Sequence, residues 1–199
     1  MLRNKMNLAV LLTMSLTACS PRDFLTRRLA TDLISASTAF SATQQFVLRT
    51  GIVTSKDYPS PEYLVLQHHG WISATSVACT QGLAPSPCWN MLLTPSGVEA
   101  VRALIPAEQA DKSSISIPVA KRDLVGVTGI ARQDNSADAD FEWKWVPLNE
   151  IGEGLYSRDL RYKASVGFRK YDDGWRLVES GTHSGQSMDD ALKNSESLP

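Results

Sequence analysis

The strict alternation of residues 141–146, Phe-Glu-Trp-Lys-Trp-Val, constrains the fold more than any other part of this chain. Its three aromatic residues, Phe141, Trp143 and Trp145, point to one side of an extended strand, and the charged residues between them point to the other. A strand with one apolar and one charged face is typical of an antiparallel sheet that covers a core with one side. The alternation therefore predicts an antiparallel β-sheet in the second half of the chain.

A hairpin is predicted next to this strand. Residues 162–171 alternate in the same way, and the dipeptide Asp173-Gly174 is a common two-residue hairpin loop. Such a loop pairs Lys170 with Leu177 and puts Trp175 on the apolar face of the sheet. Residues 124–131 are expected to add a further strand.

The first half of the chain has helical periodicity instead. Leu25, Leu29 and Leu33 recur every four residues and predict a helix over residues 22–37. Two more helices are expected, from Ser60-Pro61 to Gly70 and from residues 94–99 to Pro106, and either Thr94 or Ser96 could cap the latter. Two β-prone runs, residues 71–79 and 88–93, lie between these helices, and residues 44–54 fit a strand or a helix equally well.

These elements predict an α+β protein with a helical N-terminal half and a C-terminal antiparallel sheet. The expected organisation is a removed signal peptide (1–18), a helical half with a β-hairpin (19–106), a linker (107–119), a sheet half (120–183) and a flexible tail (184–199).

The N-terminus has the features of an export signal. Residues 1–7 carry two cations, and a short apolar run follows that is far below the roughly 20 residues needed to span a membrane. The tetrapeptide Leu16-Thr17-Ala18-Cys19 resembles the cleavage and lipidation site of bacterial lipoproteins. That resemblance implies cleavage before Cys19 and acylation of its sulfur, and Ser20 in the next position implies the periplasmic face of the outer membrane. Two or three acyl chains would anchor the protein firmly.

Charge and cysteine content agree with export. Arg3 and Lys5 belong to the signal, which leaves 18 basic against 21 acidic residues and a net charge of −3 in the mature chain. This balance does not favour nucleic-acid binding, which depends on a basic surface. With Cys19 acylated, Cys79 and Cys88 are expected to form a disulfide across one hairpin.

Residues 60–105 resemble the back half of a winged-helix domain. The order helix, Gly70-Trp71-Ile72, two β arms, and residues 93–97 entering a helix carries the resemblance. Winged helices often bind DNA through a basic helix, but the equivalent residues 62–69 contain no Lys or Arg. The resemblance therefore implies an architecture and no activity.

The second half resembles the curved sheets of cystatin-like and nuclear-transport-factor-like domains. Taken whole, the chain resembles small bacterial lipoproteins that have no assigned activity. The aromatic face of the sheet could be a core, or it could line a groove that holds a ligand or a partner. Under the second interpretation the candidate contact residues are Phe141, Trp143, Trp145 and Trp175.

We identify no catalytic residues, metal ligands or cofactor motif in the sequence. His68 and His69 are adjacent near a helix end and point about 100° apart, so they could not easily share a metal. Asp172-Asp173 is typical of a turn. We therefore expect a non-enzymatic, membrane-anchored module that binds an unknown protein or small molecule. The alternatives are an envelope-maintenance protein and an immunity-type inhibitor of a periplasmic toxin.

Overall fold

The computed structural model describes residues 24–54, 58, 60–79, 87–105, 113–179 and 185–198. The predicted signal peptide and Cys19 lie outside the described residues. In chain order the elements are α1 (Arg27–Ala36), α2 (Thr38–Ser41), β1 (Gln44–Arg49), β2 (Gly51–Thr54), α3 (Pro61–His68), β3 (Ile72–Val77), β4 (Cys88–Leu93), α4 (Pro95–Arg102), β5 (Ser114–Gln133), β6 (Ser136–Pro147), α5 (Glu150–Leu155), β7 (Arg161–Tyr171), β8 (Gly174–Leu177), α6 (Met188–Lys193) and β9 (Glu196–Leu198).

Most helices begin at a short polar side chain that accepts a hydrogen bond from the first helical turn. Thr26 starts α1, Asn149 starts α5 and Ser187 starts α6 in this way. Of the two candidate caps of α4, Thr94 is the one that accepts from a backbone N–H, while the Ser96 hydroxyl donates to the Gly70 carbonyl.

A large antiparallel sheet has the strand order β1-β5-β6-β7-β8, and β9 also pairs with β7. The predicted alternation of β6 is confirmed, because its residues from Ala137 to Pro147 are buried at every second position. The sheet curls into a half-barrel. Two β-bulges in β5, next to Gly126 and Gly129, contribute to the curl because a bulge bends the strand and increases its twist.

The helices α1, α2 and α6 cover one face of the curled sheet. We call the hydrophobic cluster beneath them the aromatic core. Its largest buried side chains are Phe40, Phe141, Trp143, Trp145, Phe168 and Trp175.

A small sheet of order β2-β4-β3 packs with α3, α4 and α5 around a second cluster, which we call the aliphatic core. Its members include Leu48, Leu66, Ile72, Ile115, Ile117 and Ile151. Strand β5 contributes Ile115, Ile117 and Val119 to this core and Ala120 and Val127 to the aromatic core, so one 20-residue strand serves both.

The predicted fold class is wrong: the chain is mostly antiparallel β-sheet, and its N-terminal half is not a winged-helix-like helical unit. The local order α3, β3, β4, α4 does form. However, α1 and α2 pack on the large sheet, β1 pairs with β5, and α3 packs against α5. Local periodicity predicted the elements, but these long-range partners decided the architecture.

Two segments that were assigned to a linker and to a flexible tail form regular elements, although the tail was expected to contain at most one short helical turn around residues 188–192. Residues 114–119, assigned to the linker, begin β5 and pair with β1; their alternating Ile and Val side chains are buried between exposed serines. Residues 188–198, assigned to the flexible tail, form α6 and β9, and Met188 and Ala191 are buried. The ambiguous residues 44–54 are extended and form β1 and β2, one in each sheet.

The predicted hairpin forms with a register shifted by two residues. Lys170 pairs with Trp175 rather than with Leu177, so the loop is Asp172-Asp173. An Asp-Gly loop of the predicted kind needs positive φ at both of its residues. In this fully described hairpin only Gly174 has a positive φ, of 135°. Because the shift is an even number of residues, Trp175 keeps its predicted face and is buried.

Candidate functional site

The four aromatic residues that were candidates for a contact surface belong to the core. Phe141 is fully buried, and the exposed fractions of Trp143, Trp145 and Trp175 are 2%, 9% and 6%. The helices that cover the sheet bury them, so these rings form no exposed surface. Two of them, Trp143 and Trp145, nevertheless lie beside a charged side chain that the sequence analysis did not select.

That side chain is Arg122 on β5, which is directly paired with Trp145 on β6. Its guanidinium carbon lies 4.8 Å from the centre of the Trp145 ring and 5.7 Å from that of Trp143. Both distances are within the range of cation–π attraction. Arg122 is half-buried, so its charge is partly removed from water.

Two tyrosines complete the cluster, which we call the arginine–tryptophan site (Arg122, Trp143, Trp145, Tyr156 and Tyr162). Tyr162 on β7 stacks on Trp143 with ring centres 4.5 Å apart, and Tyr156, just after α5, lies 4.9 Å from Trp145. Both tyrosines are half-buried and therefore form the outer part of the site. Tyr156 also packs against both cores.

The site holds more hydrogen-bond donors than acceptors. One terminal nitrogen of Arg122 donates to the Ala39 carbonyl at 2.9 Å. The Nε of Arg122 and the indole Nε1 of Trp143 are buried and have no hydrogen-bond partner among the residues that the structure describes. Among the described residues no carboxylate lies within ion-pair distance of Arg122. A buried donor without a partner costs about 1–3 kcal/mol.

Burial and neighbouring charges shift the pKa values of Arg122 and Tyr156. Partial burial lowers the pKa of the Arg122 guanidinium from its usual value, while Tyr156 and Asp189 act in the opposite direction. Burial raises the pKa of Tyr156, as do Glu62 and Tyr162, whereas Arg122 and a hydrogen bond with Gln44 lower it. At neutral pH the site therefore contains one guanidinium cation and a neutral phenol.

Sequence reasoning missed Arg122 because it stands in the polar run Lys121-Arg122-Asp123, which suggests a solvated segment. Its inward direction follows from the register of β5 against β6, in which it pairs with a core tryptophan. Tyr162 could have been selected from the sequence, because it stands two residues before Ala164 on the same strand face.

The predicted disulfide is confirmed. Cys79 and Cys88 are bonded, with their Cα atoms 5.0 Å apart. The bond links the two arms of the hairpin β3–β4 at the loop end, as expected from the spacing. His68 and His69 are exposed near the end of α3, and in the described part of the chain no three His, Cys, Asp or Glu side chains converge as a metal site would require.

Comparison of the chain with protein-family models, with curated proteins and with solved structures gives no match. None of the helices in the described ranges has the length and apolar character needed to cross a membrane. The function is therefore inferred from the geometry of the site and from the N-terminal sequence.

Proposed function

We propose that this chain is a lipid-anchored protein of the bacterial outer membrane whose periplasmic body binds a small anionic ligand at the arginine–tryptophan site. The role is binding rather than catalysis. The observation that carries the proposal is the half-buried guanidinium of Arg122, held against two indole rings and without a carboxylate partner among the described residues.

Half-burial of the Arg122 charge has an energetic cost. Charged side chains are seldom buried without a partner, because removing a charge from water is unfavourable. The two cation–π contacts offset part of this cost, by about 1–2 kcal/mol each. A ligand carboxylate or phosphate would add charge-assisted hydrogen bonds, which are the strong ones, and guanidinium is well shaped for both groups. The half-buried Tyr156 and Tyr162 would contact an apolar part of the ligand.

The cellular location is supported by the sequence and by the disulfide. The signal-like N-terminus and the tetrapeptide ending in Cys19 favour export and acylation. The Cys79–Cys88 bond fits an oxidising compartment such as the periplasm. Intact-mass analysis of the native protein tests this part: a mature chain that begins at an acylated Cys19 is expected, and an unprocessed N-terminus would contradict it.

Ligand binding is tested by titrating the mature protein with benzoate and with its neutral analogue benzamide, using tryptophan fluorescence. Benzoate should give a saturable change and benzamide a much weaker one. The variant Arg122→Gln should weaken benzoate binding at least tenfold.

Arg132→Gln is the matched control, because Arg132 is on the same strand, lies over the Phe24 ring and donates to a backbone carbonyl. It should bind benzoate as the unmodified protein does. Near-UV circular dichroism checks that both variants keep their packing. Equal benzoate binding by Arg122→Gln and by the unmodified protein would refute the proposed site.

A further inference from the structure

A groove of about 520 Å³ lies between α4 and α5 and shares no residue with the arginine–tryptophan site. Its volume is within the range of small-molecule sites. Apolar side chains contribute much of its lining: Ala100, Ala103 and Leu104 come from α4 and its end, and Ile151 comes from α5. Because its residues come from separate parts of the chain, the groove exists only in the folded protein.

Both helices that border the groove begin with the same arrangement, which is a capping side chain followed three residues later by a glycine that packs on a neighbouring backbone. The Thr94 side chain accepts from the N–H of Gly97 at 3.1 Å, and the Asn149 side chain accepts from the N–H of Gly152 at 2.9 Å. A Cβ atom at either glycine would lie 1.9 Å from a backbone carbonyl oxygen, that of Trp71 or of Val119. Each helix therefore begins in direct contact with a neighbouring backbone.

An indole ring forms a further wall. Trp71 lines the groove and stacks on His69, with ring centres 4.6 Å apart and planes 10° from parallel. A Cβ atom at Gly154 would lie 3.2 Å from both rings, so the absence of a side chain there lets α5 approach the stacked pair. The indole is thereby held in one position without being fully buried.

The charged side chains that line the groove are all acidic. Glu99 on α4 and Glu150 on α5 are exposed, and neither forms an ion pair with another described residue. The other polar lining groups are engaged within the protein: Ser96 donates to Gly70, and Asn149 both donates to Pro118 and caps α5. The carboxylates of Glu99 and Glu150, one from each helix, and the Trp71 indole ring are therefore the lining groups left for a ligand.

We propose that this groove binds a small organic ammonium ion. An ammonium group is attracted both by carboxylates and by the face of an indole ring, and its alkyl substituents suit the apolar lining. An anion would be repelled by both glutamates, and a purely apolar molecule would gain no attraction from them. Charge complementarity thus selects the cation.

The test uses choline and its neutral isostere 3,3-dimethyl-1-butanol, which has the same shape without the charge. Each is titrated into the isotopically labelled mature protein, and the five indole N–H signals are followed by NMR. The Trp71 signal is identified with Trp71→Phe. Choline should shift this signal in a saturable manner, and the neutral isostere should shift it at least fivefold less.

The double variant Glu99→Gln/Glu150→Gln should weaken choline binding at least tenfold, whereas Glu196→Gln, an exposed glutamate on β9 outside the groove lining, should not change it. The NMR spectrum itself reports whether each variant is folded. Equal binding of choline and the isostere would overturn the choice of a cation. The absence of any Trp71 shift with either compound would overturn the groove as a site, and neither outcome affects the anion site at Arg122.

Discussion

The aromatic core and the aliphatic core differ in how they satisfy their polar atoms. In the aliphatic core the buried tyrosines are hydrogen-bonded: the Tyr58 hydroxyl donates to Gln67 at 2.6 Å, and the Tyr63 hydroxyl accepts from the Arg49 N–H at 2.8 Å. Among the described residues the indole nitrogens of Trp143 and Trp175 in the aromatic core have no partner, and neither does that of Trp89, which packs against the aliphatic core. A half-buried arginine adds another unpaired donor to the aromatic core.

The aromatic core thus has the larger number of unpaired donors, and one of them belongs to a charged side chain. Large aromatic side chains supply much apolar area, but each indole also introduces one donor that needs an acceptor. In the aromatic core Arg122 and Trp143 lie on the inner strands β5 and β6, next to the half-buried tyrosines of the site. The groove beside the aliphatic core is formed by the helices on its surface.

Truncation of one large side chain in each core should give the largest effects and tests whether the cores are separate. Phe141→Ala should lower the free energy of unfolding by about 4 kcal/mol and Ile117→Ala by about 3 kcal/mol, since both side chains are fully buried. Because β5 serves both cores, each variant should still unfold in one transition.

Urea titrations followed by far-UV circular dichroism and by tryptophan fluorescence measure the free energy of unfolding and the number of transitions. The two probes should give the same midpoint in each variant. Separate transitions for the two probes would mean that the cores unfold independently. The two cores would then belong to two separate domains.

The next largest effect is expected at the contact between α5 and β5, where the two cores meet. Gly152→Ala should cost about 3 kcal/mol, because its methyl group would lie 1.9 Å from the Val119 carbonyl oxygen and α5 would have to move. Gly126→Ala is the control, since nothing lies within 4 Å of its Cβ position. Thermal unfolding would show a lower midpoint for the first variant only; equal midpoints would mean that α5 shifts without cost.

Removal of the disulfide should have a smaller effect. Cys79→Ala/Cys88→Ala opens a link between residues nine positions apart, and loops of this length give stabilisation near about 2 kcal/mol. The loss should appear in the small sheet and leave the aromatic core intact. Hydrogen exchange checks this: amides of β3 and β4 should exchange faster, and those of β6 and β7 should not. Uniformly faster exchange would contradict a local role.

The smallest expected change in the free energy of unfolding comes from Tyr156, which packs against both cores. Its pKa is raised in the folded state, mainly by burial, so above pH 10 the unfolded chain loses this proton first. The contribution of Tyr156 to stability is thus complete below pH 10 and decreases as the pH rises toward its folded-state pKa. Denaturant titrations between pH 8 and pH 11 should show a steeper loss of stability in the unmodified protein than in Tyr156→Phe. Parallel curves would contradict the shift.

Periodicity predicted most elements but not their partners. Local spacings of a few residues predict the alternation of β6, the capped start of α4 and the disulfide-linked hairpin. Such spacings follow directly from the geometry of helices and strands. The pairing of β1 with β5 joins residues about 70 positions apart, and no local pattern encodes it. The β5 strand itself was divided between a linker and a strand, because serines at its exposed positions resemble a loop.

The features of the candidate sites also fall into two groups: those that depend on residues close together in the chain and those that depend on the fold. The sequence by itself determined the aromatic face of the sheet, the cysteine pair and the expectation of acylation at Cys19, since each depends on residues close together in the chain. Only the tertiary structure decided that helices bury the aromatic face, that Arg122 turns inward onto Trp145, and that two glutamates line one groove. The physical reason is that burial, charge pairing and unpaired donors are properties of neighbours in space, and these neighbours are brought together by strand register and helix packing.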